Sequence, residues 1–226
     1  MASVTLENVT VRYPDAPGPA LDGLDLHAAD GQFVVITGPP RAGKSTLLRV
    51  LAGQEDPTSG RVLIGGVDVT AVPAQGRDAV LVFQNYALYP HMSVRDNMSF
   101  ALRVAGVPEA EREERVSEAA RLLDLTDRLD LGPDRLTGPQ RQQVALARAV
   151  VRRPAVLLMD DPLAMVSPEL RDHTADLIRS LVRNLRVTTL QATADPGPLA
   201  SAADRVLRLD GGRLMEDTAD TGVVPA

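Results

Sequence analysis

The sequence predicts an α/β fold with an inserted helical segment, and three observations support this. Short apolar strands alternate with helical stretches along most of the chain, which is the pattern of α/β proteins. Two of the strands, residues 33–37 and 156–159, are continuous apolar runs, typical of strands buried on both faces of a sheet. Residues from about 94 to 152 have an almost entirely helical pattern, and we expect a helical subdomain there.

Apolar periodicity and turn residues place nine strands and six helices along the chain. The predicted strands are residues 4–11, 24–27, 33–37, 61–64, 79–83, 156–159, 187–191, 205–209 and 213–215. The predicted helices are residues 44–52, 94–105, 108–123, 139–152, 168–185 and 198–202. Four of these helices open on a proline, which a first turn tolerates because the N–H that proline lacks has no partner there. Residues 218–226 are small and polar, and we expect them to fray.

Length and composition are those of a soluble protein with a core. The chain has 226 residues, 44% hydrophobic and 24% charged, which fits one domain or one domain with an inserted subdomain. No apolar run reaches the roughly 18–20 residues of a membrane span, and no secretory signal is predicted at the N-terminus. The lack of cysteine excludes a disulfide scaffold, a thiolate zinc site and a cysteine nucleophile. The net charge of −6 argues against nucleic acid as the main partner.

A phosphate-binding loop is predicted directly after the buried strand at residues 33–37. Residues 38–46 match the pattern GxxxxGK[ST] and lead into a helix, which is the setting this motif requires. Lys44 is the only lysine in the chain. We expect loop N–H groups to face phosphates, Lys44 to reach the β- and γ-phosphates and Ser45 to ligate Mg²⁺; the alternative is a glycine-rich turn before a helix. The predicted nucleotide-binding residues are Gly38, Pro39, Pro40, Arg41, Ala42, Gly43, Lys44, Ser45 and Thr46.

Two further residues are candidates for the same site. Asp160 ends the buried strand at residues 156–159, where a carboxylate beside a phosphate-binding loop would hold Mg²⁺; the alternative is an N-cap for the following helix. Tyr13 follows the first strand and would stack on a base if its ring is exposed; the alternative is simple packing. The histidines, His27, His91 and His173, lack ligand spacing, so no metal site is expected from them.

These motifs resemble the ATP-binding subunits of ABC transporters, most closely the sugar importers of the maltose-transporter type. The resemblance covers residues from about 3 to 216 and is nearly residue for residue in the Q-loop region. The segments that carry it are residues 82–94, 58–60, 97–100 and 145–149.

The resemblance implies an ABC ATPase fold, a P-loop NTPase core with an antiparallel β edge, over a single domain at residues 1–226. It implies ATP and Mg²⁺ as ligands, held in a sandwich dimer between one subunit's phosphate loop and the other's signature motif. By the same resemblance, Tyr13 would stack on adenine, and Gln84 would contact Mg²⁺ or the attacking water. Membrane-spanning subunits would dock near the Q-loop, with this subunit at the cytoplasmic face of the membrane. From the resemblance we expect the 226 residues to hold no regulatory domain of the kind usual in the maltose-type subunits.

The sequence departs from the family at four motifs that act on the γ-phosphate or the water. The signature LSGGQ reads Leu-Thr-Gly-Pro-Gln, with Pro139 at its fourth position. The catalytic glutamate is replaced by Asp161, the D-loop aspartate by Ser167 and the switch histidine by Ala194. The motifs that hold nucleotide and metal are intact, so we expect ATP binding with much reduced hydrolysis.

Each departure has a physical cost. Pro139 removes a backbone N–H and fixes φ, although Thr137 and Gln140 form a capping-box pattern that preserves the helix. The carboxylate of Asp161 lies roughly 1 Å or more further back than that of glutamate, a displacement that costs on the order of 10²-fold in rate. Ala194 cannot hydrogen-bond a phosphate, and the loss of one transition-state contact costs about 2.7–4 kcal/mol.

Three functions remain open from the sequence. The first is a transporter subunit that binds ATP, supplies closure of a dimer and hydrolyses ATP slowly or not at all. It would pair with a more competent nucleotide-binding subunit or act as a regulator. The second is an active importer ATPase that tolerates the substitutions, and the third is a soluble ATP-dependent interaction module. The intact family motif at residues 86–91 favours a membrane partner over the third. The solute is set by other subunits, and the sequence does not name it.

Overall fold

The computed structural model describes residues 2–195 and 197–218. The chain divides into two compact units. The first unit consists of Met1–Leu81, Ala155–Asp161 and Val182–Ala226, and the second of Val82–Pro154 and Pro162–Leu181. Except for Thr218, the C-terminal segment that is predicted to fray lies outside the described residues.

In the part of the chain that the structure describes, ten strands form two sheets. The strands are β1 Val4–Val11, β2 Leu21–Ala28, β3 Phe33–Thr37, β4 Ser59–Ile64, β5 Val67–Asp68, β6 Ala79–Val82, β7 Val156–Asp160, β8 Thr188–Ala192, β9 Arg205–Asp210 and β10 Arg213–Asp217. The smaller sheet has the order β2-β1-β4-β5, and β1 is antiparallel to both β2 and β4. The larger sheet has the order β10-β9-β3-β8-β7-β6. In it, β3 is parallel to β8 and β9, β7 is parallel to β8, and β10 closes the edge antiparallel to β9.

Six α-helices accompany the strands within residues 2–195 and 197–218. They are α1 Lys44–Ala52, α2 Val94–Val104, α3 Glu109–Leu122, α4 Gly138–Val150, α5 Pro168–Leu185 and α6 Gly197–Ala200. Short 3₁₀ turns lie at Ala74–Gly76, Thr126–Arg128 and Pro133–Arg135. No helix among the residues the structure describes is long and apolar enough to cross a membrane.

The central strands of the larger sheet are buried on both faces, as their apolar runs predict. All five residues of β3 are buried, and so are the first four of β7. Val34 pairs with Leu190 of β8, and Leu158 of β7 pairs with Leu190 from the other side. Each buried aliphatic side chain contributes roughly 1.5–3 kcal/mol, so burial on both faces stabilises these strands and fixes the edge at which β3 and β7 end.

The predicted bounds of β1, β3, α1 and α5 match the structure, and other elements differ by one to three residues at an end. Strand β2 begins three residues earlier than predicted, because Gly23, at φ 59°, interrupts the apolar pattern although Leu21 still pairs with Val11. The predicted start of β8 at Val187 is wrong by one residue. The two-residue strand β5 is missing from the prediction because both of its residues are exposed and show no alternation.

Arg77 fastens the C-terminal end of α1. Its side chain is 2% exposed, and its guanidinium donates to the carbonyls of Val50 at 2.6 Å and Leu51 at 3.3 Å. It also donates to the carbonyls of Val72 at 2.7 Å and Thr70 at 2.9 Å. A helix end leaves its last carbonyls without intrahelical partners and carries partial negative charge. The arginine therefore satisfies those carbonyls and complements the helix dipole at the far end of the helix that begins at the phosphate loop.

We expect Arg77→Met to lower the free energy of unfolding by about 2 kcal/mol, because buried carbonyls then lose a charged donor. The measurement is urea denaturation followed by circular dichroism. Arg49→Ala is the control, since Arg49 is an exposed arginine on the same helix, and we expect it to change stability by less than about 0.5 kcal/mol. Equal stability losses in the two variants would contradict a capping role for Arg77.

The second unit is mainly helical, and α2 packs against α3 and α4. Helix α4 begins with the predicted capping box, which is confirmed. The Thr137 hydroxyl accepts from the N–H of Gln140 at 3.4 Å, and the Gln140 side chain accepts from the N–H of Thr137 at 2.9 Å. Pro139 lies in the first turn, so the helix keeps its N-terminus despite the proline. That residues 94–152 act as a subdomain stays a prediction.

Candidate functional site

The loop at residues 38–46 connects buried β3 to α1, and two of its glycines are required by their surroundings. Gly38 has φ 146°, and a Cβ there would lie 2.0 Å from the carbonyl oxygen of Leu209. Gly43, the N-cap of α1, has φ 103°, and a Cβ there would lie 2.3 Å from the carbonyl oxygen of Ala20. No side chain caps α1, and its first turn contains no acidic residue. The first N–H groups of the helix and its positive dipole end are therefore left for an anion.

Lys44 holds its ammonium group within this loop. Its Nζ donates to the carbonyl oxygen of Gly38 at 2.7 Å and to that of Pro39 at 2.9 Å. The pKa of the Lys44 amine lies below its ordinary value. Burial lowers it by more than the negative charges of Asp161 and Asp160 raise it. The single lysine of the chain thus places one positive charge beside the loop carbonyls, where a phosphate group would find a charged donor.

Ser45 and Asp160 supply two oxygen atoms that fit one Mg²⁺ ion. The Ser45 hydroxyl donates to Oδ1 of Asp160 at 3.0 Å, across 115 residues of sequence. Mg²⁺ binds oxygen at 2.0–2.1 Å in octahedral geometry, so neighbouring ligands lie about 2.9 Å apart. Among the described residues, no cluster of three or more His, Cys, Asp or Glu could hold a metal. A hydroxyl and one carboxylate suit an ion that takes its remaining ligands from water and phosphate.

Asp161 lies next to the phosphate loop through the end of β7. Its backbone is left-handed at φ 45°, and its N–H donates to the carbonyl of Ala192 at 2.8 Å. The Thr193 hydroxyl donates to the carbonyl of Asp195 at 2.8 Å, and Oδ1 of Asp161, 3.3 Å away, shares the same proton in a weaker three-centre contact. Ala194, which lies between Thr193 and Asp195 in the sequence, is exposed. The first unit therefore brings Lys44, Ser45, Asp160 and Asp161 together, and the methyl group of Ala194 adds no hydrogen-bonding atom.

Tyr13 is half-buried and packs against the core of the first unit. Its hydroxyl donates to Oε2 of Glu55 at 3.2 Å and lies 3.5 Å from the hydroxyl of Thr46 in the first turn of α1. The ring is thus partly covered rather than freely exposed, and it lies beside the helix that begins at the phosphate loop.

The remaining predicted site residues belong to the second unit. Gln84 is exposed in the turn that follows β6. Pro139 lies in the first turn of α4. Ser167 is exposed just before α5; hydrogen bonds from the backbone N–H of Glu169 and from the Ser167 hydroxyl lower the pKa of the Glu169 carboxyl. The position of the D-loop aspartate is thus taken by a serine whose hydroxyl interacts with the Glu169 carboxyl.

Two residues that the sequence reasoning missed hold the segment 86–93 of the second unit, which we call the Q-loop segment. Asn97, 1% exposed, donates to the carbonyls of Tyr89, Met92 and Ser93 at 3.0–3.2 Å and accepts from the N–H of Tyr89 at 2.9 Å. The guanidinium of Arg148 lies 4.7 Å from the Tyr89 ring centroid and donates to the carbonyl of Ala87 at 2.5 Å. In the sequence, Asn97 and Arg148 were marked only by lying in the segments 97–100 and 145–149 that resemble the family. That resemblance did not predict which residues they contact.

The family of the chain follows from sequence comparison. Residues 21–164 match the family model described as "ABC transporter", which is more than half of the 226 residues. The chain therefore belongs to the ABC transporter family, whose nucleotide-binding domains bind ATP with Mg²⁺.

Two relatives are similar over most of the chain. The diacetylchitobiose uptake system ATP-binding protein MsiK of Streptomyces coelicolor is 51% identical over 216 residues, which are 96% of this chain and 57% of that protein. The sn-glycerol-3-phosphate import ATP-binding protein UgpC 2 of Agrobacterium fabrum is 45% identical over 216 residues, again 96% of this chain and 57% of that protein. The chain thus spans a little over half the length of these relatives.

Solved structures confirm the ABC ATPase fold. The ATP-binding cassette MJ0796, in a dimeric post-hydrolysis state bound to ADP and Pi, matches with a TM-score of 0.82 and 26% identity, over 95% of this chain and 97% of that one. The protein cbiO1 of Clostridium perfringens, part of the ABC transporter complex cbiONQ, matches with a TM-score of 0.87 and 26% identity, over 97% of this chain and 90% of that one.

Proposed function

We propose that the chain is the ATP-binding subunit of an ABC importer for a carbohydrate-like solute, and that it binds Mg-ATP but hydrolyses it slowly by itself. The observation that carries this proposal is the phosphate loop, in which the Lys44 ammonium lies inside the loop and Ser45 meets Asp160 at its edge. The relatives named for diacetylchitobiose uptake and for sn-glycerol-3-phosphate import support the solute class. Titration calorimetry of the chain with Mg-ATP tests the binding: a dissociation constant in the micromolar to sub-millimolar range supports it, and no measurable heat contradicts it.

In this proposal the first unit holds the nucleotide and the metal. The N–H groups of residues 38–46 and the start of α1 bind the phosphates, and Lys44 binds the β- and γ-phosphates. Ser45 and Asp160 hold Mg²⁺, and Tyr13 stacks on adenine. Bound Mg²⁺ would neutralise negative charge on the phosphates. Because the two protein oxygens already lie 3.0 Å apart, little rearrangement of the chain is needed to hold the ion.

The slow-hydrolysis part rests on the groups that would orient water and stabilise the transferring phosphate. Asp161, the candidate base, has a side chain one methylene shorter than that of glutamate, so its carboxylate would lie further from the attacking water. Ala194 and Ser167 occupy the positions of the switch histidine and the D-loop aspartate. Pro139 leaves the signature helix with one N–H fewer. An active importer ATPase is the competing function, and its turnover would be within the ordinary enzyme range.

The partners in this proposal are membrane-spanning transporter subunits and a second nucleotide-binding subunit. The membrane subunits dock on the Q-loop segment, which Asn97 and Arg148 hold in one conformation. The chain then lies in the cytoplasm against the inner face of the cell membrane, and nucleic acid has no part in its function. Residues 94–152 form a helical subdomain of one nucleotide-binding domain.

We expect the chain alone to remain monomeric at micromolar concentration, even with Mg-ATP. A homodimer would place Pro139 against both nucleotides, whereas a partner with an intact signature motif would complete a heterodimer at this chain's phosphate loop. Light scattering with and without Mg-ATP measures this, and Pro139→Gly is the matched variant in which ATP-dependent dimers should increase. A tight ATP-dependent homodimer of the wild type would contradict the heterodimer.

A further inference from the structure

The hydroxyl of Tyr13 joins three separate segments of the first unit. Tyr13 follows β1, Thr46 lies in the first turn of α1, and Glu55 follows the end of that helix. The Tyr13 hydroxyl donates to Oε2 of Glu55 at 3.2 Å and lies 3.5 Å from Oγ1 of Thr46. Both Tyr13 and Glu55 are half-buried, so the hydrogen bond to a carboxylate is partly shielded from competing water.

The backbone beside Tyr13 is fastened to the same stretch that carries Glu55. The N–H of Arg12 donates to the hydroxyl of Thr58 at 2.9 Å. The N–H of Thr58 donates in turn to the carbonyl of Thr10 at 2.7 Å. Main-chain and side-chain contacts thus restrain the ring from both ends, and the ring itself packs against the core of the unit.

We infer that Glu55 is a positioning residue for base recognition, and that it acts by holding the Tyr13 ring in the orientation in which it stacks on the nucleotide base. This inference rests on the proposed function, in which Tyr13 stacks on adenine. A ring that is already fixed loses little rotamer freedom when it binds, and binding is stronger by that amount. Glu55 touches neither base nor phosphate in this account, and its effect passes only through the tyrosine hydroxyl.

Substitutions can distinguish the effect of the Tyr13–Glu55 hydrogen bond from the effect of the Tyr13 ring itself. Tyr13→Phe keeps the ring and removes only the hydroxyl, and Glu55→Ala removes the acceptor. Because both remove the same hydrogen bond, we expect each to weaken Mg-ATP binding by about threefold to tenfold, the range for a partly exposed hydrogen bond to a charged group. Glu55→Gln retains an acceptor oxygen and should restore most of the affinity. Tyr13→Ala removes the ring as well and should weaken binding further than any of these.

The test is a double-mutant cycle measured by calorimetry with two ligands, Mg-ATP and Mg-tripolyphosphate. For Mg-ATP, Glu55→Ala should have less than a twofold effect in the Tyr13→Phe background, because the hydrogen bond is already absent there. Mg-tripolyphosphate has no base, so its affinity should change less than twofold in every variant. Glu114→Ala is the control, since Glu114 is an exposed glutamate in the second unit.

Two results would overturn the inference while leaving the proposed function in place. One is an equal effect of Glu55→Ala in the wild-type and Tyr13→Phe backgrounds. The other is equal weakening of both ligands by Glu55→Ala, which would indicate a general structural role near the phosphate loop. Failure of the wild type to bind Mg-ATP at all is a different outcome, because it would overturn the proposed function and this inference together.

Discussion

Lys44→Ala is expected to weaken Mg-ATP binding by about a thousandfold, since removing one member of a buried charge pair costs about 2–5 kcal/mol. The Lys44 ammonium is the one charged donor placed among the loop carbonyls, at 2.7 Å from that of Gly38 and 2.9 Å from that of Pro39. Its loss also leaves the charges of Asp160 and Asp161, which act on Lys44 in the structure, to repel the phosphates. Calorimetric titration of both proteins with Mg-ATP measures the change.

Two control variants distinguish the effect of the Lys44 charge on binding from an effect of the substitution on folding. Lys44→Met keeps most of the side-chain length without the charge and should bind as weakly as Lys44→Ala. Arg49→Ala removes an exposed positive charge from the same helix and should bind within about twofold of the wild type, because exposed charges are screened. If Lys44→Ala binds Mg-ATP as tightly as the wild type, residues 38–46 are not a phosphate site.

The combined change Asp161→Glu, Ala194→His and Pro139→Gly is expected to raise ATP turnover by roughly 10²–10³-fold. Each change restores a group that positions water or stabilises the transferring phosphate, and one such contact contributes about 2.7–4 kcal/mol. Groups of this kind act as a unit, so each single change should recover less than about tenfold. The measurement is steady-state phosphate release for the wild type, the three singles and the triple variant.

The background for these rates is the same protein with Lys44→Ala, which removes nucleotide binding and so reports contaminating ATPase. For the Asp161→Glu single variant, we expect the longer side chain to move its carboxylate away from the Thr193 hydroxyl, which donates to Oδ1 of Asp161 in the wild type. A triple variant no faster than the wild type would show that these positions do not limit hydrolysis.

The sequence predicted the fold best where local pattern and tertiary role agree. Strand β3 and helix α1 have their predicted bounds, because a continuous apolar run ends at a glycine that the loop geometry demands. It predicted β2 poorly, since Gly23 interrupts the apolar pattern within a strand whose first residue, Leu21, is held by pairing to Val11. Cross-strand pairing of this kind overrides local propensity.

The candidate site was predictable in its residues but not in its contacts. Motif spacing identified the loop and Asp160, whose approach to Ser45 spans 115 positions. The hydrogen bonds of Thr193 to Asp161 and of Tyr13 to Glu55 span 32 and 42 positions. No periodic pattern encodes such pairs, because the sheet order brings their segments together. Arg148 was missed because its hydrogen bond to Ala87 spans 61 positions, whereas Asn97 was missed although its partner Tyr89 lies only 8 positions away.

The most direct test of the central claim is steady-state phosphate release by the wild-type chain at saturating Mg-ATP, at a concentration where calorimetry shows the site to be filled. The claim is that the chain holds Mg-ATP without hydrolysing it at an ordinary enzyme rate. We predict a turnover at least about a hundredfold below 1 s⁻¹, since ordinary enzymes work at about 1–10³ s⁻¹. A turnover near 1 s⁻¹ or above, beyond the Lys44→Ala background, would contradict the claim and establish an active importer ATPase in its place.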